Sequence, residues 1–129
     1  MAREELFVTT KIWPDNFRRR KLLREVDASL KALKRETIDL LLLHWPSKSV
    51  PIAETLDALA EVVAAGSRAV MLYIIQRGDC DRLALAEDID PAYARALHRA
   101  LAHGVEAYAY ACALTRRTVA VDRRVPIAL

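Results

Sequence analysis

Hydrophobic positions along the chain change period several times, and each change marks a new element. Residues 6–13 are rich in β-branched and aromatic side chains and read as a strand. Pro14, Asp15 and Asn16 stop it and offer a helix N-cap. Over residues 17–34 the apolar positions Leu22, Leu23, Val26, Leu30 and Leu33 recur at helical spacing. The opposite face carries Arg19, Arg20, Arg24, Lys31 and Lys34, so the helix is amphipathic with one buried stripe. Residues 38–44 form a short apolar run of the kind found in strands covered on both faces, and Trp45-Pro46-Ser47 breaks it. A second helix follows on Ile52, Leu56, Leu59, Ala60 and Val63, with Gly66 at its C′ position. Residues 69–75 give a third buried-type strand, and residues 78–88 read as a loop. Asp90 and Pro91 supply the N-cap and first helical position of a helix over residues 92–103, closed by Gly104. Residues 105–114 give a fourth strand, Thr115-Arg116-Arg117 a turn, and residues 118–121 a short antiparallel return.

The predicted order is β-α-β-α-β-α-β-β. Alternation of this kind implies an α/β fold with right-handed crossovers. We therefore expect residues 1–129 to form one α/β domain. Its sheet should be single and mainly parallel, with about four strands plus a short antiparallel edge strand, half-barrel or Rossmann-like. In the half-barrel version all helices fall on one side. The other sheet face would then expose Leu, Ile and Val, at a cost of roughly 1.5–3 kcal/mol per side chain. A homodimer packed through that face is the expected remedy.

Composition narrows the picture. Hydrophobic residues make up 53% and charged residues 29%, the balance of an ordinary globular chain. No apolar run approaches the roughly 20 residues of a membrane span, and the N-terminus has no apolar signal region, so a cytoplasmic protein is the expectation. Cys80 and Cys112 do not make a disulfide framework or a zinc site and are expected as thiols. A net charge of +3 is too weak to imply nucleic acid. Composition also shifts along the chain. All five lysines and both tryptophans lie in residues 1–66, whereas all four tyrosines lie in residues 67–129. That division favours two origins.

Two resemblances fit the division. Leu6-Phe7-Val8-Thr9-Thr10-Lys11-Ile12-Trp13, Ser29-Leu30-Lys31-Ala32-Leu33, Ile38-Asp39-Leu40-Leu41-Leu42-Leu43-His44-Trp45-Pro46 and Glu54-Thr55-Leu56-Asp57-Ala58-Leu59 resemble an internal fragment of aldo-keto reductases over about residues 3–66. That resemblance implies a (βα)₈ barrel and NADPH-dependent carbonyl reduction by an Asp, Tyr, Lys and His tetrad. Lys11 matches the family's lysine and His44 its histidine. The aspartate and tyrosine would lie upstream, where no counterpart is read. From Arg68-Ala69-Val70-Met71-Leu72-Tyr73-Ile74-Ile75-Gln76-Arg77 onward the chain resembles another family, in the C-terminal part of the sugar fermentation stimulation protein. Ala86-Glu87-Asp88-Ile89-Asp90-Pro91-Ala92-Tyr93, Gly104-Val105-Glu106-Ala107-Tyr108-Ala109-Tyr110 and Arg124-Val125-Pro126-Ile127-Ala128-Leu129 continue that match over about residues 67–129. It implies a link to DNA binding and a nuclease-like domain whose carboxylates and Glu-x-Lys element have no counterpart here.

Lys11 and His44 are thus the candidate catalytic residues, and both are expected at C-terminal strand ends, the ligand edge of an α/β sheet. Without a tuned donor beside a hydride source they are expected as inactive, solvated remnants, with no cofactor and no metal. The basic run Arg18-Arg19-Arg20-Lys21 with Arg24 reads as a solvated helix face rather than a phosphate site. Tyr108 and Tyr110 share a strand face and suit packing before base stacking. His98 and His103 are poorly spaced for a metal, and Asp79-Cys80-Asp81 lacks an ordered partner set. With only three glycines, no phosphate-binding or dinucleotide fingerprint exists. The leading expectation is a recombined α/β domain, by natural fusion or by design, without an intact catalytic function. The alternatives are an NADPH-dependent reductase remnant and a nucleic-acid-binding module. Nucleic acid and membrane are not expected partners.

Overall fold

A computed structural model of the 129-residue chain describes residues 6–44 and 47–129. Residues 1–5 and the Trp45-Pro46 break lie outside the described residues, as does the side chain of Arg19. The chain falls into two compact units, residues 1–58 and 59–129.

In the first unit, β1 (Thr9–Ile12) and β2 (Leu40–Leu43) run parallel, with Thr9 opposite Leu40 and Ile12 opposite Leu43. Asp39 helps set this register. Its carboxylate accepts from the Val8 N–H at 2.7 Å, while Asp39 and Leu40 both donate backbone N–H groups to the Val8 carbonyl. A short 3₁₀ turn (Pro14–Asn16) leads to α1 (Arg19–Leu33). The expected cap at Asp15 or Asn16 is not used. Those residues are absorbed into the 3₁₀ turn, and Arg18 takes the N-cap position without a side-chain cap. At the other end Lys34 adopts the left-handed conformation (φ 52°), and the Arg35 N–H reaches the Leu30 carbonyl in a Schellman-type closure. Ile12, Phe17, Leu22, Val50 and Leu56 are buried.

The division between the units falls within α2 (Ile52–Ala64). In the second unit β3 (Val70–Ile75) pairs in parallel with β5 (Glu106–Leu114), and β6 (Val119–Val125) pairs antiparallel with β5. A bulge at Asp122 shifts the β5–β6 register, so that Ala111 faces Arg123 while Cys112 faces Val121. Two short strands, β4 (Leu83–Ala84) and β7 (Ile127–Ala128), pair in parallel, tied by the Leu83 N–H to the Pro126 carbonyl. Helix α3 (Pro91–Ala102) begins as the sequence predicts, with the Asp90 carboxylate accepting from the Tyr93 N–H at 2.9 Å and Pro91 in the first turn. It ends at Gly104 (φ 89°), where a Cβ would lie 3.1 Å from Val63. One core cluster of this unit centres on Ala109, Ala111 and Val125, with Tyr73, Ile75, Cys80, Leu83 and Ile127 packed around them, and Leu97, Val105 and Cys112 are also buried.

The α/β class holds, with three α-helices among the described residues and strands that pair mainly in parallel. The single sheet does not. Among the described residues the strands form three sheets, β1-β2, β3-β5-β6 and β4-β7. The expected loop at residues 78–88 contains β4, and the short return strand at 118–121 extends to Val125. Three apolar side chains of β3 are open to solvent: Val70 (39% exposed), Leu72 (53%) and Ile74 (44%). No helix among the described residues is long and apolar enough to cross a membrane.

Candidate functional site

Lys11 is the third residue of β1, and His44 directly follows β2. Because the strands are parallel, both stand toward the same, C-terminal edge of the pair. The His44 N–H donates to the Ile12 carbonyl at 3.1 Å, so the backbone of the histidine is still held by the neighbouring strand. Strand alternation puts Thr9, Lys11, Leu40 and Leu42 on the exposed face and leaves Ile12 in the core. Trp13 extends the register by one step. Its ring packs on the His44 imidazole with centroids 5.1 Å apart and planes tilted by 37°. Sequence reasoning gave His44 no aromatic neighbour; continuing the Ile12–Leu43 pairing by one residue supplies it.

The second unit carries a different constellation on the exposed face of its sheet. Residues Glu106, Tyr108 and Tyr110 of β5 stand opposite Val70, Leu72 and Ile74 of β3, and Arg124 of β6 stands opposite Tyr110. Arg68 grips the Glu106 carboxylate with two N–H groups, Nη2 to Oε2 at 2.9 Å and Nε to Oε1. The Tyr108 hydroxyl donates to Glu106 Oε2, and the Arg124 guanidinium lies 4.3 Å from the Tyr108 ring centroid. Hydrogen bonds from Arg68 and then Tyr108 hold the Glu106 carboxyl down at about 2. The network therefore carries its own charge balance around Glu106. The tyrosine pair was visible from alternation alone. The flanking Arg68 and Arg124 were not, because Arg68 comes from the segment leading into β3 and Arg124 from β6.

The other singled-out residues are engaged elsewhere. Asp79 forms a bidentate pair with Arg77 at 2.9 and 2.8 Å, which holds its carboxyl down at about 2. The Cys80 thiol points to the Arg77 carbonyl at 3.8 Å. His98 meets Glu87 at 3.1 Å, whereas His103 Nδ1 lies 2.7 Å from the Arg99 carbonyl. Arg18, Arg20, Lys21 and Arg24 are exposed. Tyr73 and Tyr93 share a hydroxyl–hydroxyl hydrogen bond, and burial raises both phenols above their ordinary range. Both cysteines are free thiols. Among the described residues no group of three or more His, Cys, Asp or Glu side chains is placed to hold a metal ion.

Comparison with known proteins separates the two units by kinship. The profile of the aldo/keto reductase family matches residues 1–69, and that of the sugar fermentation stimulation protein RE domain matches residues 53–118. A sugar fermentation stimulation protein homolog of Brucella anthropi is 53% identical over 75 residues, which is 58% of this chain and 32% of the relative. Its counterpart in Rhodospirillum centenum is 56% identical over 71 residues, 55% of this chain and 30% of the relative. The chain thus spans about a third of the length of these relatives. Among solved structures, a protein proposed to be a 2,5-diketo-D-gluconic acid reductase B aligns at 36% identity with a TM-score of 0.50. The alignment covers 74% of this chain and 31% of that one. With each profile matching more than half of its length, and both matching residues 53–69, this chain is a two-family chimera that belongs to the aldo/keto reductase family through its first half and to the sugar fermentation stimulation protein family through its second.

Proposed function

We propose that this chain is a recombined α/β protein whose Lys11 and His44 are inherited strand-end residues without an intact catalytic centre around them. One observation carries the reading. Residues 1–58 contain no tyrosine, so no phenolic proton donor stands in the unit that holds Lys11 and His44. All four tyrosines belong to the other unit, where Tyr73 is bonded to Tyr93 and Tyr108 to Glu106. Carbonyl reduction needs a general acid at the substrate oxygen beside the hydride donor. Lys11 and His44 suit the family's chemistry at the C-terminal sheet edge, but the exposed residues of β2 are Leu40 and Leu42, and neither donates a proton. The residues present therefore do not complete an NADPH site, and no reduction step is assigned to this chain. A cytoplasmic location, with both cysteines as thiols, goes with this proposal.

Incubation with NADPH and an aromatic aldehyde tests the reading. Unchanged nicotinamide absorbance, together with an unperturbed nicotinamide fluorescence titration, is the expected result. Turnover that vanishes in Lys11→Met or His44→Ala would overturn it. A gel shift with short duplex DNA at low salt tests the nucleic-acid alternative. Arg68 is paired with Glu106, so on that face the Arg124 guanidinium stacked on the Tyr108 ring is a single uncompensated charge against a phosphate backbone, and no retardation is expected.

A further inference from the structure

We propose that two copies of this chain join through the free edge of β3, antiparallel, to make one continuous sheet in the order β6-β5-β3-β3-β5-β6. The hydrogen-bond pattern identifies the edge. Ala69 accepts from the Glu106 N–H at 2.9 Å, so alternate residues from Ala69 onward direct their main-chain groups to β5. Val70, Leu72 and Ile74 therefore direct their N–H and C=O groups away from the sheet, where no strand among the described residues pairs with them. The same three residues expose their side chains. β3 contains no charge, proline, glycine or bulge, so nothing guards it against pairing.

The opposite edge is guarded. β6 carries Asp122, Arg123 and Arg124 and the bulge at Asp122, the devices that keep an edge from pairing. Within this sheet the contrast selects β3. The sequence around it also selects a second copy as the occupant. With Leu72 opposite Leu72, Val70 faces Ile74 of the second copy and Arg68 faces Gln76 of the second copy. No cation meets a cation, and every pair inside the strand is apolar. Arg68 and Arg77, which flank the strand, are already neutralised by Glu106 and Asp79. A two-fold arrangement of this kind pairs both β3 edges and leaves the two guarded β6 edges as the outer edges of this sheet, so growth of this sheet closes at the dimer.

Light scattering on the full chain, coupled to size exclusion, reads the mass. The expected result is twice the chain mass for the parent and for Val121→Lys on the guarded edge. For Leu72→Lys the mass should halve, with the far-UV spectrum unchanged. A monomeric parent, a dimeric Leu72→Lys, or assemblies beyond the dimer would each overturn the proposal. Should Leu72→Lys fail to fold, Leu72→Cys decides. Opposed residues in a hydrogen-bonded antiparallel pair have Cα atoms about 5.5 Å apart, within disulfide range. Mild oxidation should then give a covalent dimer absent from the parent and from Val121→Cys, and its absence refutes the pairing.

Discussion

Replacing Leu97 by alanine should remove about 4 kcal/mol from the second unit, in the upper half of the range for buried leucines. Leu97 is fully buried in α3, and most of the buried residues around the unit are small: Ala69, Ala94, Ala96, Ala100, Ala109 and Ala111. Alanines cannot extend to fill a cavity, so relaxation recovers little of the loss. A unit of this size is stable by roughly 4–10 kcal/mol, so the substitution should take at least about two-fifths of that stability. Leu97→Met, which nearly conserves volume, should cost less than about 1.5 kcal/mol. The assay is urea unfolding followed by tyrosine near-UV ellipticity, because all four tyrosines lie in residues 59–129. A loss below about 1.5 kcal/mol in the alanine variant would show that α3 is loosely packed, and the account of this alanine-rich core would fail.

Tryptophan fluorescence offers the matching probe for the first unit, since Trp13 and Trp45 lie only there. If the chain folds as the one domain its alternating pattern leads us to expect, tryptophan and tyrosine signals will share a urea midpoint; separate midpoints would assign two folding units. Lys34 sits at φ 52°, so Lys34→Gly should stabilise the chain by about 1 kcal/mol in the tryptophan-detected transition, and a destabilised variant would contradict the left-handed cap. Glu106 is held at about 2 against an ordinary 4.5, so its contribution is full above pH 4.5 and fades as pH falls from there toward 2. The parent's unfolding midpoint should therefore fall more steeply than that of Glu106→Gln across that window. Parallel curves would deny the Arg68–Glu106 pairing.

Elements with strong local periodicity were legible before any coordinates. The stripe from Leu22 to Leu33 gave α1, Ile52 to Val63 gave α2, and Asp90-Pro91 marked the start of α3 at the residue that caps it. Pairing across the chain was not legible. β4 and β7 are two residues long and meet from distant parts of the sequence, so neither has a period to read. β6 hides its alternation because Asp122, Arg123 and Arg124 interrupt the apolar positions and the bulge displaces the register. The division into three sheets has the same origin: periodicity says which residues form a strand, not which strand lies beside it. Lys11 and His44 were found because family motifs name them, whereas Arg68 and Arg124 beside Tyr108 required three strands to be placed first.

The place where the two families meet has a physical logic. Both profiles include residues 53–69, which hold most of α2 and its Gly66 terminus. A helix tolerates exchange of one half for another because its hydrogen bonds are local and its buried stripe repeats every three to four residues. Strands depend on partners elsewhere in the chain, so a join inside β2 or β3 would have stranded one side of a ladder. Gly66 adds a second safeguard. At φ 91°, with no atom within 4 Å of where its Cβ would sit, it ends the helix whatever sequence follows. The outer edge of β3 has no neighbouring strand among the described residues. β3 thus follows a capped helix end and carries an outer edge that no described strand covers, the edge we propose to pair between copies.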